Sequence, residues 1–245
     1  MPIIYHTGLT PPPSIDIEGF DICYLPVLKV EYVSTNTPQD ISEILLMDPI
    51  VLIMSKNSVK GLDNWLLHFG LEPDFFAKVS FWTVGDRTHA CLKNTLKIPS
   101  YFPEKMTGVG VLHALQKQNY SNVLLLSGQD PQKEFIEGLS AAGINFFHFP
   151  VYKIYTDNNS ALFSHFMNTE SNYIIITSPS SVDGILHSLS ISDLSKLKNR
   201  IISIGPTTSA AILQNGGHVF LESEVQNINT LYDNLGSLIV ETIHT

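Results

Sequence analysis

The chain repeats itself, and the repeat limits the folds open to it. "PIVLIMSKNSVKGLDNWL" (49–66) and "YIIITSPSSVDGILHSL" (173–189) each read as an apolar strand, a serine-bearing turn and a helix. Aligned on Ser55 and Ser178, they share Ser58/Ser181, Val59/Val182 and Gly61/Gly184. Downstream, "FWTVGDRTHACLKN" and "IISIGPTTSAAILQN" share Gly85/Gly205, Thr88/Thr208 and Ala90/Ala210. Upstream, "LPVLKVEY" and "FPVYKIYT" share Pro26/Pro150, Val27/Val151 and Lys29/Lys153. The step from Ser to Gly is 30 residues in the first copy and 27 in the second, and from Pro to Ser it is 29 and 28. Three matched landmarks at near-equal spacing indicate an internal duplication.

The first copy continues into "NVLLLSGQDPQKEFIEGLSAAGINFFHFP", a strand, Ser-Gly loop, helix, Gly turn and strand. The second copy runs out of chain before any such unit. Its counterpart lies at the other end, in "PIIYHTGLTPPPSIDIEGFDICYLP". The spacing therefore predicts a discontinuous domain, 1–28 plus 153–245, and an inserted domain, 31–150. The chain crosses between them through linkers at about 26–33 and 149–156, extended segments that could pair as a short antiparallel ladder. Strand and helix alternate in each domain, so the expected class is α/β with parallel sheets.

In such sheets ligands bind beyond the carboxyl ends of the strands. Thr7, Ser55, Thr88, Ser127, Ser178, Ser180 and Thr208 fall there, and free N–H groups at helix starts favour anions. Two sheets facing each other across a hinge would line a cleft with such ends. A plain N-cap, worth about 1 kcal/mol, explains any one of these hydroxyls equally well.

Other classes fit less well. The net charge of −9 argues against nucleic acid and anionic membrane as partners. No apolar run is long enough for a transmembrane helix. The first residues lack the basic and apolar regions of a signal peptide. Cys23 and Cys91 form no CxxC, and nine His show no metal-ligand spacing, so no metal and a reducing cytoplasm are expected. "TGVGVL" (107–112) follows no strand and reads as the start of a helix rather than a nucleotide loop.

The set "VYKIY", "IITSPSSV" and "ISIGPTTSAAILQNG" resembles uroporphyrinogen-III synthase. The resemblance covers nearly the whole chain, with the first half matching as strand-end patterns. It implies two similar flavodoxin-like domains joined by a two-stranded linker, with the site in the cleft between them and no cofactor. It implies a lyase of haem biosynthesis that closes hydroxymethylbilane, a linear tetrapyrrole with eight carboxylates, inverting ring D through a spiro intermediate; the twofold repeat within the chain makes a monomer the expected state. A transient contact with hydroxymethylbilane synthase is also implied. Tyr152 is the expected proton donor to the leaving hydroxide, since a phenol is protonated at neutral pH. Tyr155, in the same segment, is the competing phenol and is read as sharing its face. Ser178 and Thr208 carry over by motif as substrate contacts, with Thr207 and Ser180 beside them. Ser55, Thr88 and Arg87 follow from the repeat, and Thr7 and Ser127 from their strand ends. Arg87 could clamp a carboxylate, although an Arg or Lys at a helix start, Lys56 included, is more often a surface residue. A two-domain binding protein for a small anion, without catalysis, is the alternative reading.

Overall fold

The structure is a computed structural model; residues 1–157 and 172–244 are described, with side chains through Ile239. The chain divides into two compact units, Met1–Lys29 with Tyr155–Thr245, and Val30–Ile154.

The inserted unit is built on β4 (Ile50–Ile53), β5 (Phe81–Thr83), β6 (Asn122–Gly128) and β7 (Asn145–Thr156), with β3 (Leu28–Tyr32) at one edge, in the order β3-β7-β6-β4-β5. The pairs β4–β5, β4–β6 and β6–β7 are parallel. Every residue of β4 is buried, as expected of a parallel strand covered on both faces. The helices are α1 (Pro38–Leu45), α2 (Lys56–Phe69), α3 (Asp86–Leu96), α4 (Gly108–Lys117) and α5 (Lys133–Ala141). Thr37, Ser55 and Thr107 cap α1, α2 and α4 by accepting a backbone N–H, and Gly70 closes α2 in the left-handed conformation. Trp65 anchors one face of the core among Phe69, Phe75, Phe76 and Phe149, and its indole N–H donates to the Asn36 carbonyl.

The discontinuous unit holds β1 (Ile3–His6), β2 (Asp21–Tyr24), β8 (Tyr173–Ile176), β9 (Arg200–Ser203) and β10 (Val219–Glu222), all parallel, in the order β10-β9-β8-β1-β2. Its helices are α6 (Pro179–Leu189), α7 (Pro206–Gln214) and α8 (Ile228–His244). Leu231, Tyr232, Leu235 and Ile239 of α8 pack against Ile4, Tyr173, Ile175 and Ile202.

The duplication is visible in the packing. Gly61 of α2 lies against Val151, and Gly184 of α6 against Val27, so each Pro-Val segment seats on a helix glycine of its own unit. Thr83 and Ser203 donate to the Gly85 and Gly205 carbonyls at the start of the following helix. The sheet orders correspond once the inserted unit is circularly permuted, with Tyr101, which bridges Trp82 in parallel, in the place of β10. Both units begin or end within β3 and β7. The Val33 N–H bonds the Val151 carbonyl and the Asp157 N–H bonds the Val27 carbonyl, an antiparallel register. The two lysines of the repeat are ion-paired there, Lys29 with Asp157 and Lys153 with Glu31.

Because β1 sits between β2 and β8, residues 155–245 without residues 1–29 would leave one edge of the fully buried β8 unpaired. That fragment should show no cooperative unfolding and poor amide dispersion. Adding 1–29 through a short linker should restore both. A well-dispersed spectrum from the fragment alone would refute this dependence on β1.

Candidate functional site

Strands β7, β6 and β4 lie side by side, so the segments after them meet at one end of the inserted unit. They line a cavity of about 320 Å³ with Met54, Ser55, Leu125, Ser127, Gly128 and Tyr152. Three helix starts open onto it through Ser55 before α2, Gly108 in α4 and Gln132 before α5. Their free N–H groups make the lining suited to anions. Asp130 is the one acidic or basic side chain among the described residues that line it.

Tyr152 is seated by its surroundings. Its ring lies over Gly128, where a β-carbon would come within 3.0 Å of it. Its carbonyl accepts the Gln129 N–H. Its hydroxyl is 3.3 Å from Ser55 Oγ, which accepts the Ser58 N–H at 3.1 Å and lies 3.0 Å from Ser58 Oγ. The cavity thus presents a phenol and two serine hydroxyls, with apolar Val84, Pro131 and Phe135 completing its wall. A larger cavity of about 580 Å³ lies along the flank of α4, lined by Trp82, Phe102 and Lys117.

The corresponding strand ends of the discontinuous unit carry different side chains. Thr7 is fully buried and its hydroxyl donates to the Ile175 carbonyl at 2.7 Å. Ser178 caps α6, accepting the Ser181 N–H. Leu28, matched to Tyr152 by the repeat, is buried and apolar. One of the two copies alone therefore carries a phenol beside its capping serine.

The family model described as uroporphyrinogen-III synthase HemD matches residues 14–233. The chain belongs to that family. It is similar to the porphyrin biosynthesis protein HemD of Ruminiclostridium josui, with 24% identity over 189 residues. The match takes in 76% of this chain but 37% of that longer protein. Among solved structures, the uroporphyrinogen-III synthetase of Helicobacter pylori superposes with a TM-score of 0.68 at 18% identity, covering 97% of this chain and 100% of the other. A mutant uroporphyrinogen III synthase of Thermus thermophilus gives 0.62 at 14% identity, covering 98% and 100%. At these identities the likeness is one of fold, an α/β architecture with parallel sheets.

In this HemD-family chain, Ser55, Ser127 and Tyr152 come together around one cavity. Thr88 and Thr208 are buried in the first turns of α3 and α7. Arg87, Ser180, Thr207 and Lys56 are exposed. Tyr155 corrects the reading that it shares the face of Tyr152. It lies three residues on, an odd step that reverses the face of a strand, and is 44% exposed. Sequence reasoning missed Gly108 and Gln132, since nothing local to either shows that their helices converge with α2. Among the described residues, no group of His, Cys, Asp and Glu could hold a metal ion, and no helix is long and apolar enough to cross a membrane.

Sequence reasoning also missed His6, which is 1% exposed. Its Nε2 is 3.0 Å from the Thr10 carbonyl and its Nδ1 is 3.0 Å from the Tyr232 hydroxyl. A carbonyl only accepts, so Nε2 carries the proton and Nδ1 accepts from Tyr232. This chain of bonds ties the loop after β1 to α8. Burial pushes the imidazole down to about 4, partly offset by the Thr10 bond, and raises the Tyr232 phenol. The unfolded chain takes up a proton near pH 6.5 and the folded one does not until about 4. Stability is therefore lost as pH falls through that window, by about 3 kcal/mol in all. His6→Gln should flatten the fall in denaturant midpoint between pH 6.5 and 4. An unchanged slope would show that His6 does not set it.

Proposed function

We propose that this chain is a uroporphyrinogen-III synthase, a cofactor-free lyase that closes hydroxymethylbilane to uroporphyrinogen III with loss of water. Membership of the family supports the reaction, and one observation carries its assignment to residues. That observation is the Tyr152 phenol 3.3 Å from Ser55 Oγ, in a cavity onto which three helix starts open.

The ring A hydroxymethyl group must lose hydroxide to leave an azafulvene cation. Tyr152 donates to that oxygen as it leaves, and Ser55 holds the phenol in place. Ring D then attacks through its substituted α-carbon, giving a spiro intermediate that fragments and recloses with the ring inverted. The α-proton finally lost from ring D balances the one that left with hydroxide, so the net loss is water. The remaining task is to hold a reactive cation in one conformation, and positioning supplies much of the rate. Substrate carboxylates are met by N–H groups at helix starts rather than by a cluster of cations, which accommodates the net charge of −9. Ser127, Ser178, Ser180, Arg87 and Thr207 are assigned to contact substrate through side chains. Thr88 and Thr208 are assigned to contact substrate as well, and the buried Thr7, whose hydroxyl donates to the Ile175 carbonyl, fixes the backbone beside it. The strand order β2-β1-β8-β9-β10 is that of flavodoxin-like sheets and supports two such domains.

The test couples purified protein to freshly made hydroxymethylbilane and separates the uroporphyrin isomers after oxidation. Type III should predominate. Type I alone, the spontaneous product, would reject the assignment.

A further inference from the structure

β7 also carries His148, half-buried and paired in register with Leu125 of β6. Its Nε2 lies 2.9 Å from Ser127 Oγ and 3.1 Å from the Gly128 carbonyl oxygen. Ser127 Oγ is 3.0 Å from the same carbonyl. An imidazole nitrogen held that close to an acceptor-only oxygen carries its hydrogen, so Nε2 is the donor in this triangle. The Ser127 hydrogen then has two resting places, the Gly128 carbonyl or an acceptor in the cavity that Ser127 and Gly128 both line. Without His148, turning that hydrogen toward a ligand would strip the carbonyl of its side-chain donor, a loss that opposes binding. With His148 the carbonyl keeps one.

The discontinuous unit shows the same scaffold without the free hydroxyl. Aligning the Pro-Val segments sets His148 against Tyr24, and Ser127-Gly128 corresponds to Thr7-Gly8. Tyr24 likewise reaches over the loop after the neighbouring strand, and its hydroxyl donates to the Leu9 carbonyl at 3.1 Å. There Thr7 is fully buried, with its hydroxyl committed to Ile175. Ser127 retains 5% of its surface and lines a cavity. The inserted unit alone couples the reaching donor to a hydroxyl that a ligand can meet.

We propose that Ser127 is a ligand-facing donor for a carboxylate, and that His148 is its positioning residue, taking over the Gly128 carbonyl so that the serine hydrogen is free to turn. The identity of the ligand as a polycarboxylated tetrapyrrole rests on the synthase reading; the donor exchange rests on the geometry.

Uroporphyrin III, a stable octacarboxylate, is the probe. Its affinity is measured for the wild type, Ser127→Ala, His148→Gln, His148→Leu and the double variant Ser127→Ala/His148→Leu, with circular dichroism confirming the fold of each. Ser127→Ala and His148→Leu should each weaken binding about 10-fold. The double variant should be no weaker than either, because both remove one bond. Gln places an amide N–H near the position of Nε2, and should bind within about threefold of wild type. Independent losses that multiply to about 100-fold, a Gln variant as weak as Leu, or a wild type that fails to bind would each overturn the proposal. The isomer assay decides the reaction separately. A wild type that makes type III while the two losses multiply sinks the donor exchange and leaves the synthase standing. One that makes type I alone but shows the coupled losses does the reverse.

Discussion

Tyr152→Phe is expected to lower turnover about 100-fold, the lower range for acid–base assistance by a placed side chain. The substitution removes one oxygen and little else. Ser55 keeps its bonds to the Ser58 N–H and hydroxyl, so no buried group is orphaned and folding should be intact. The ring keeps its seat over Gly128. The loss should fall on kcat more than on KM, because the leaving hydroxide gains charge only on the way to the transition state. Activity within threefold of wild type would reduce Tyr152 to a packing role. Tyr155→Phe is the control and should do little, since that phenol lies on the other face of the strand.

Gly61→Ala should be strongly destabilising, because the new methyl group meets a buried strand. In an exposed helix the change would stabilise by about 1 kcal/mol. At this position the new carbon would lie 2.5 Å from the Val151 carbonyl oxygen and 2.8 Å from its Cβ. Val151 is fully buried, and its carbonyl accepts the Val33 N–H, so helix and strand must part. A net loss of about 3 kcal/mol is expected, at the upper end for overpacking, lowering the thermal midpoint by about 10 °C. Gly184→Ala is the graded comparison. Its nearest atoms, Val27 Cγ2 and carbonyl oxygen, would both be 3.0 Å away. About 1 kcal/mol should be lost there, the lower end for overpacking. Equal effects, or stabilisation at Gly61, would show that the Pro-Val segments do not hold the helices at contact distance.

What was legible in the sequence follows from what is local. "IVLI" and "YIII" announce strands because a parallel strand covered on both faces has no polar alternation to blur it. Ser55 and Ser178 announce helix starts because a cap acts within three residues. The convergence of Ser55 with Tyr152 spans 97 residues and depends on which strands become neighbours. The repeat pointed to matched ends in both copies, but it could not show that Leu28 packs into the core of its unit where Tyr152 lines a cavity. His6 and Tyr232 are separated by 226 residues, and neither carries a pattern that anticipates the other. His148 left a faint trace. It and Tyr24 both stand two residues before the repeated proline, each a polar ring following an apolar or weakly polar neighbour.

The place of β1 in its sheet has a consequence for how the chain is made. Ile4 pairs with Tyr173, so β1 waits for a strand synthesised 169 residues later. During that interval β2 can cover one edge of β1, but the edge that β8 will bury stays open, while all of 30–154 can emerge and fold as a unit. Contacts this distant in sequence make folding slow and leave apolar edges open to other chains. Slowing elongation within 30–154 would prolong the exposure of β1 without helping it find β8. The same pause placed after β9 would fall when its partner is already at hand.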